Sequence, residues 1–323
     1  MNHFQRYLTD EFAEDFQEGR LSRREALKMI ASVTGSLLMA NSILAACAPP
    51  PEETQTASTA EDPAATALAS PEATGEEGVT SSPAAYGTVM PDDPAVIASE
   101  IEIPTNLPPL MGYLARPSSE TRSPVVLVCH ENRGLTPHIQ DVTRRFAKAG
   151  YVALAVDLVS RHGGSAAAGE GNVPGILGSI DPDQFVADFV DGWHYLQGQS
   201  FAQADRVGMI GFCFGGGVTW LVAARMPELQ AAIPFYGPPP PLDEVPNIQA
   251  PILAVYGGQD GRITGTIPSI EPAMQANNKV YEKLIYEEAD HAFHNDTSPR
   301  YNAEAARDAW AQTLAWLEKY LRS

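Results

Sequence analysis

The sequence predicts an α/β fold: a mostly parallel β-sheet with helices on both faces. Three observations carry this. Continuous β-branched runs, such as PVVLVCH at 124–130 and RVGMIGF at 206–212, have the composition of strands buried on both sides. Amphipathic segments with apolar residues three and four apart lie between them. The two kinds alternate from residue 99 to the end, an order that crossover connections turn into a parallel sheet.

Taken in order, 99–103 and 110–116 read as two strands separated by a proline-containing turn. The run 124–130 is the first fully buried strand, and 138–149 the first amphipathic helix. Gly150 suits a helix C-cap and introduces the strand YVALAVD at 151–157. A helix over 183–197 places Phe185, Phe189, Trp193 and Leu196 on one stripe. The strand at 206–212 is followed by a helix over 214–226, stopped by Pro227. Strands follow at 231–236, 251–256 and 280–286. A closing helix over 302–321 aligns Ala306, Trp310, Leu314 and Leu317.

With 21 Lys+Arg against 40 Asp+Glu the chain carries a formal charge of −19, which repels nucleic-acid phosphate. Much of the excess lies in 48–98, where the sequence has acids but no Lys or Arg. Three cysteines, Cys47, Cys129 and Cys213, are too few for a disulfide framework. Cys129 falls inside a buried run and reads as structural.

Three domains are expected. In 1–47, an apolar run at 29–46 follows Ser22-Arg23-Arg24-Glu25-Ala26-Leu27-Lys28. That segment resembles the twin-arginine export signal, with Ala26 where the family has Phe. Leu44-Ala45-Ala46-Cys47 resembles a bacterial lipobox, which implies lipidation of Cys47 and a protein held outside the cytoplasm on the cell membrane. A plain transmembrane anchor is the alternative, since 18 residues just span a bilayer. Ahead of the motif, Phe4, Leu8, Phe12 and Phe16 recur every four residues, as in a short amphipathic helix with no evident function. Residues 48–95, rich in Pro, Ala, Thr, Ser and Glu, read as a solvated spacer. Residues 96–323 form the folded domain.

Ligands bind beyond the carboxyl ends of parallel strands. Those ends here carry Glu131, Arg161, Cys213, Asp260 and His291. Gly211-Phe212-Cys213-Phe214-Gly215 has the pattern of a nucleophile elbow, G-x-S-x-G, with Cys in place of Ser. A Cys at a helix N-terminus is favoured as thiolate by the helix dipole. The chain order Cys213, Asp260, His291 is the nucleophile–acid–base order of the α/β-hydrolase fold. Asp290 and His294 are the competing acid and base; Asp290 is expected to point away, and His294 to be exposed in its loop.

His130-Glu131-Asn132-Arg133-Gly134, Gly211-Phe212-Cys213-Phe214-Gly215-Gly216, Gly257-Gly258-Gln259-Asp260 and His291-Ala292-Phe293 together make 99–323 resemble the dienelactone hydrolase (carboxymethylenebutenolidase) family. The resemblance implies Cys213 as nucleophile, His291 as base and Asp260 as its orienting acid. The backbone N–H groups of Phe214 and Asn132 would form the oxyanion hole. It further implies that Glu131 contacts the resting thiol and that Arg161 binds a substrate carboxylate. A second family arginine has no clear counterpart, because Arg262 does not fall in register. The glycine-rich stretch 162–180 reads either as a mobile cover or as a surface insertion.

A thiolate is both a good nucleophile and a good leaving group, so a Cys-based elbow suits lactones and activated esters. The expected function is hydrolysis of a small-molecule lactone or activated ester through an acyl-cysteine. A broad-range extracytoplasmic carboxylesterase and a non-catalytic tethered binding lipoprotein are the alternatives. No cofactor, metal or nucleic acid is expected, and the protein is expected to be a monomer.

Overall fold

The structure, a computed structural model, describes residues 1–46 and 87–322. Cys47 and most of the expected spacer lie outside the described residues. Eight strands form one sheet among them: β1 (Val96–Ile103), β2 (Leu110–Pro117), β3 (Ser123–Cys129), β4 (Val152–Val156), β5 (Ala202–Phe212), β6 (Ala231–Phe235), β7 (Ile252–Gly257) and β8 (Tyr281–Tyr286). Their order is β1-β2-β4-β3-β5-β6-β7-β8. The pairs β1/β2 and β2/β4 are antiparallel, and β4 to β8 run parallel through β3. This is the α/β sheet that the sequence predicts. The central strands β3, β4, β6 and β7 are buried along their whole length, as unbroken apolar runs require.

Eleven α-helices are described. Three precede the sheet: α1 (His3–Gln17), α2 (Arg23–Thr34) and α3 (Leu37–Ala46). The others are α4 (Pro137–Lys148), α5 (Ser165–Ala168), α6 (Val173–Ser179), α7 (Pro182–Gln197), α8 (Phe214–Arg225), α9 (Gly261–Thr264), α10 (Ile267–Ala276) and α11 (Ala303–Leu321). The α8 helix is buried along nearly its whole length, between the sheet and its neighbouring helices.

The first three helices differ most from expectation. Asn2 and Gln5 cap α1 reciprocally, and Ser22 and Glu25 cap α2 in the same way. The twin-arginine-like segment thus forms a helix start, because S-x-x-E closes a capping box. Ala26, Ile30 and Val33 of α2 face inward. A side chain at Gly175 or Gly178 on α6 would meet Ser32 or Val33 at 3.0 Å or less. Val173 and Leu177 of α6 are fully buried. Within 162–180, α6 therefore forms the seat on which α1 and α2 rest, while Glu170 lines the cavity that opens onto Cys213.

Phe4 fixes α1 to the domain, its ring 5.5 Å from Phe185 and 4.9 Å from Phe214. Gln5 Nε2 donates to the Gly178 carbonyl at 2.8 Å. On α3, Leu37 and Leu38 are exposed, Leu38 at 84%. No helix among the described residues is long and apolar enough to cross a membrane. The described residues begin again at 87, ahead of β1: Val89 N donates to Asp141 Oδ1 at 2.7 Å, and Arg144 Nε donates to the Val89 carbonyl. The end of the expected spacer is thus bonded to α4.

Candidate active site

Cys213 stands at the junction of β5 and α8 with φ 57° and ψ −119°. An L-residue there is strained and persists only because its surroundings impose it. Cys213 N donates to the Phe235 carbonyl at 3.1 Å, and Gly216 N to the Cys213 carbonyl at 2.9 Å. The flanking glycines are steric necessities. A Cβ at Gly211 would come within 2.1 Å of the Gly215 carbonyl oxygen, and one at Gly215 within 2.5 Å of the His130 carbonyl oxygen. The turn can close only where these two positions lack side chains.

Asp260 ends the turn after β7, and His291 lies in the loop after β8. Their side chains meet at 2.6 Å, His291 Nδ1 to Asp260 Oδ2. The other carboxylate oxygen of Asp260 accepts from Ile263 N at 3.1 Å, capping α9. Both residues are almost wholly buried. Burial pushes the His291 pKa down, but the Asp260 carboxylate and the Cys213 sulfur outweigh it and hold the imidazole well above its ordinary value. Burial alone would raise the Asp260 pKa; His291 reverses this and holds it below the usual carboxylate value. The Nε2 of His291 has no hydrogen-bond partner among the described residues. Asp290 is turned away from the ring, its Oδ1 accepting from His291 N at 2.6 Å.

His294 is not exposed, contrary to the expectation from its loop position. It is fully buried, stacked on Phe212 at 5.0 Å and edge-on to Phe235 at 5.3 Å. Burial holds its pKa well below the ordinary value. It packs beneath the elbow.

The loop after β3 contributes Glu131 and Asn132, both buried. His130 orients this loop: its Nε2 accepts from Leu158 N at 3.2 Å, which leaves Nδ1 to donate to the Glu131 carbonyl at 2.6 Å. The Glu131 carboxylate does not reach the thiol as the resemblance implied. Its Oε2 accepts from Asn295 Nδ2 at 2.7 Å. Arg161 is also held elsewhere: it donates to buried Asp188 at 2.7 Å and to the Pro108 carbonyl at 2.5 Å. It does not line the cavity at Cys213, because an acid on α7 takes its guanidinium first.

Two residues that the sequence reading left without a role lie against the thiol. Tyr7 Oη is 3.3 Å from Cys213 Sγ, and Glu11 Oε1 is 3.5 Å from it. They sit one helical turn apart on the inner face of α1. The four-residue apolar spacing of that segment shows a buried stripe, and these two polar residues share it. Asn132 Nδ2 donates to Glu11 Oε1 at 2.9 Å. Arg262, the residue out of register, pairs with Glu14 at 3.0 Å and lies over the Tyr7 ring at 4.6 Å.

A cavity of about 520 Å³ opens onto Cys213 and His291. Glu11, Glu131, Arg20, Arg133 and Arg300 give its wall charges of both signs. Metal-ligating atoms of Glu11, Cys213 and His291 lie within 4.8 Å of one another. An ion held there would occupy the thiol and the free imidazole nitrogen together.

A family model described as the dienelactone hydrolase family matches residues 110–321. The chain belongs to the dienelactone hydrolase family. It is 34% identical over 268 residues to a Methylorubrum extorquens protein named "Putative carboxymethylenebutenolidase", covering 79% of this chain and 92% of that one. An Escherichia coli protein of the same name is 35% identical over 257 residues, 74% of this chain and 93% of that one. Among solved structures, "Putative Dienelactone Hydrolase" from Klebsiella pneumoniae superposes with a TM-score of 0.65 at 34% identity, over 70% of this chain and all of that one. A dienelactone hydrolase from Anabaena variabilis shares the fold, with a TM-score of 0.56 at 23% identity over 71% of this chain and all of that one. The protein is thus a hydrolase of the dienelactone hydrolase type.

Proposed function

We propose that this dienelactone hydrolase family member cleaves a small lactone or activated ester through an acyl-cysteine, with Cys213 as nucleophile, His291 as base and Asp260 as the acid that orients it. The observation that carries the reading is the buried Asp260–His291 pair at 2.6 Å, whose unpartnered Nε2 shares a cavity with the strained Cys213. Asp260 fixes the ring with its proton on Nδ1, leaving Nε2 to take a proton.

In the first step the Cys213 sulfur attacks the acyl carbon while its proton passes to His291 Nε2. The carbonyl oxygen becomes an oxyanion, which accepts hydrogen bonds from the backbone N–H groups of Phe214, the first residue of α8, and Asn132. Collapse expels the leaving oxygen, which takes the proton from His291. Water then gives a proton to His291 and attacks the thioester, and a second collapse releases the acid and restores the thiol. In a lactone the leaving oxygen stays joined to the acyl chain throughout, so a single open-chain acid is released at the last step.

The proposal extends to location. The lipobox-like Leu44-Ala45-Ala46-Cys47 supports lipid attachment at Cys47 after twin-arginine export, with the enzyme monomeric on the outer side of the membrane. The experiment for the reaction compares the full chain with Cys213→Ala on a dienelactone and on p-nitrophenyl acetate. Cys213-dependent turnover with preference for the lactone is expected. Turnover of the simple ester alone would make the enzyme a general esterase, and turnover that survives Cys213→Ala would remove the acyl-cysteine.

A further inference from the structure

We propose that residues 1–46 are a built-in inhibitor of this hydrolase: α1 lies in the substrate's place over Cys213, and excision of the segment ahead of Cys47 opens the site. The proposal rests on Cys213 being the nucleophile and on the cleavage inferred at Cys47. The family model matches residues 110–321, so α1, α2 and α3 are additions to the matched fold.

For reaction, an acyl carbon must come within about 3–3.5 Å of the sulfur, and its leaving oxygen within about 3 Å of His291 Nε2. That space is taken. Tyr7 Oη stands 3.3 Å from Cys213 Sγ, and Glu11 Oε1 stands 3.5 Å from Sγ and 3.9 Å from His291 Nε2. A substrate acyl group and the inner face of α1 cannot both fill it. Phe12, Asp15, Arg20, Leu21 and Met29 continue the same wall of the cavity. The cavity of the full chain is therefore the room that the segment leaves over, and without 1–46 it becomes an open cleft.

The cover is fastened along its length. Phe4 packs on Phe185 and Phe214, and Gln5 donates to the Gly178 carbonyl. Glu14 pairs with Arg262 at 3.0 Å, and Asp15 faces Arg300 at 3.7 Å. Behind α1, α2 packs on α6. Yet the seat leaves buried polar atoms unpaired: Arg262 Nη2 and His291 Nε2 make no hydrogen bond among the described residues. A permanent core satisfies such atoms. A surface that must later work uncovered keeps them for other partners.

The same segment carries Ser22-Arg23-Arg24 at the start of α2 and ends at Leu44-Ala45-Ala46-Cys47. The activating step is hydrolysis of the Ala46–Cys47 peptide bond. A peptidase adds water, leaving a carboxylate on Ala46 and an amine on Cys47. One cut thus frees signal and cover together, and full hydrolytic activity follows export.

The test starts from the full chain with a site-specific protease sequence inserted within 48–86, folded whole and then cut. Mass spectrometry follows loss of the released fragment. Its removal is expected to raise kcat/KM for p-nitrophenyl acetate about tenfold or more, the reciprocal of an uncovered fraction of about 10% or less. Alkylation of Cys213 by iodoacetamide should quicken to a similar degree. Tyr7→Ala/Glu11→Ala in the uncut chain should raise turnover in the same direction, which covers the case of a fragment that stays seated after the cut. Turnover that rises in neither protein would overturn the proposal, because α1 would then be a wall that the site needs or ignores. Alkylation requires no hydrolysis and so separates the two readings. Alkylation that quickens on cutting while hydrolysis survives Cys213→Ala would keep α1 as the cover of Cys213 and remove the nucleophile assignment.

Discussion

Asp260 Oδ2 and His291 Nδ1 lie 2.6 Å apart, both buried, one from the turn after β7 and one from the loop after β8. The pair works as a unit, because the acid sets the tautomer that leaves Nε2 able to accept a proton. Asp260→Asn is expected to lower kcat by about 10³–10⁴-fold with little change in KM. The same substitution removes the largest influence raising the His291 pKa, so the imidazole should titrate at lower pH. Steady-state kinetics and an NMR titration of His291 check both.

Arg161 donates to Asp188 at 2.7 Å and is absent from the cavity wall. Arg161→Ala should therefore leave KM for a carboxylate-bearing lactone unchanged. It should cost about 3 kcal/mol of stability, since it leaves the buried Asp188 carboxylate without its counter-charge, held only by Gln184 Nε2 at 2.7 Å. Thermal unfolding beside Michaelis kinetics separates the two effects. A KM that rises with stability unchanged would return Arg161 to the substrate.

Phe4 anchors α1 through two ring contacts with Phe185 and Phe214. Phe4→Ala is expected to open α1 locally and leave the sheet intact. Hydrogen exchange should speed up in residues 3–17 by at least tenfold, with β3 and β5 as protected as before. Uniform loss of protection would mean that α1 and the sheet unfold together.

Asp296 accepts from His138 Nδ1 at 2.9 Å and from Arg145. The His138 bond first and Arg145 with it hold its carboxyl well below the usual carboxylate range, against the effect of burial. A depressed folded pKa adds stability that is present above the unfolded value, about 4, and is lost as pH falls through the folded value. Asp296→Asn should cost about 2 kcal/mol near neutrality, on the order of 5 °C in Tm. The gap between parent and variant should close as pH falls below about 4.

The strands were legible because a strand buried on both faces must be written as an unbroken apolar run, as SPVVLVC in β3 is. The elbow was legible for steric reasons: Gly211 and Gly215 each meet backbone oxygen where a Cβ would stand. Asp260 and His291 could be found because they follow strands whose ends converge. What stayed hidden depends on partners distant in sequence. The helical stripe of α1 shows that one face is buried, but not that the surface beneath it contains Cys213. Arg161 has the right chemistry for a carboxylate, and only the fold shows that Asp188 takes it. His294 looks like a loop residue until Phe212, Phe235 and Trp310 are assembled around it. Glu131 sits at the implied position, but Asn295, 164 residues away, takes its carboxylate.

Tyr7 and Glu11 lie on one side of residues 47–86 and Cys213 on the other. While the peptide chain is continuous, α1 binds its seat as an intramolecular partner, at a concentration set by the tether and independent of how much protein is present. One scission within 47–86, such as cleavage ahead of Cys47, would turn the same helix into a separate ligand. Its occupancy over the thiol would then obey mass action, and dilution alone would expose Cys213. The contact of Tyr7 and Glu11 with the Cys213 sulfur would then have a dissociation constant of its own.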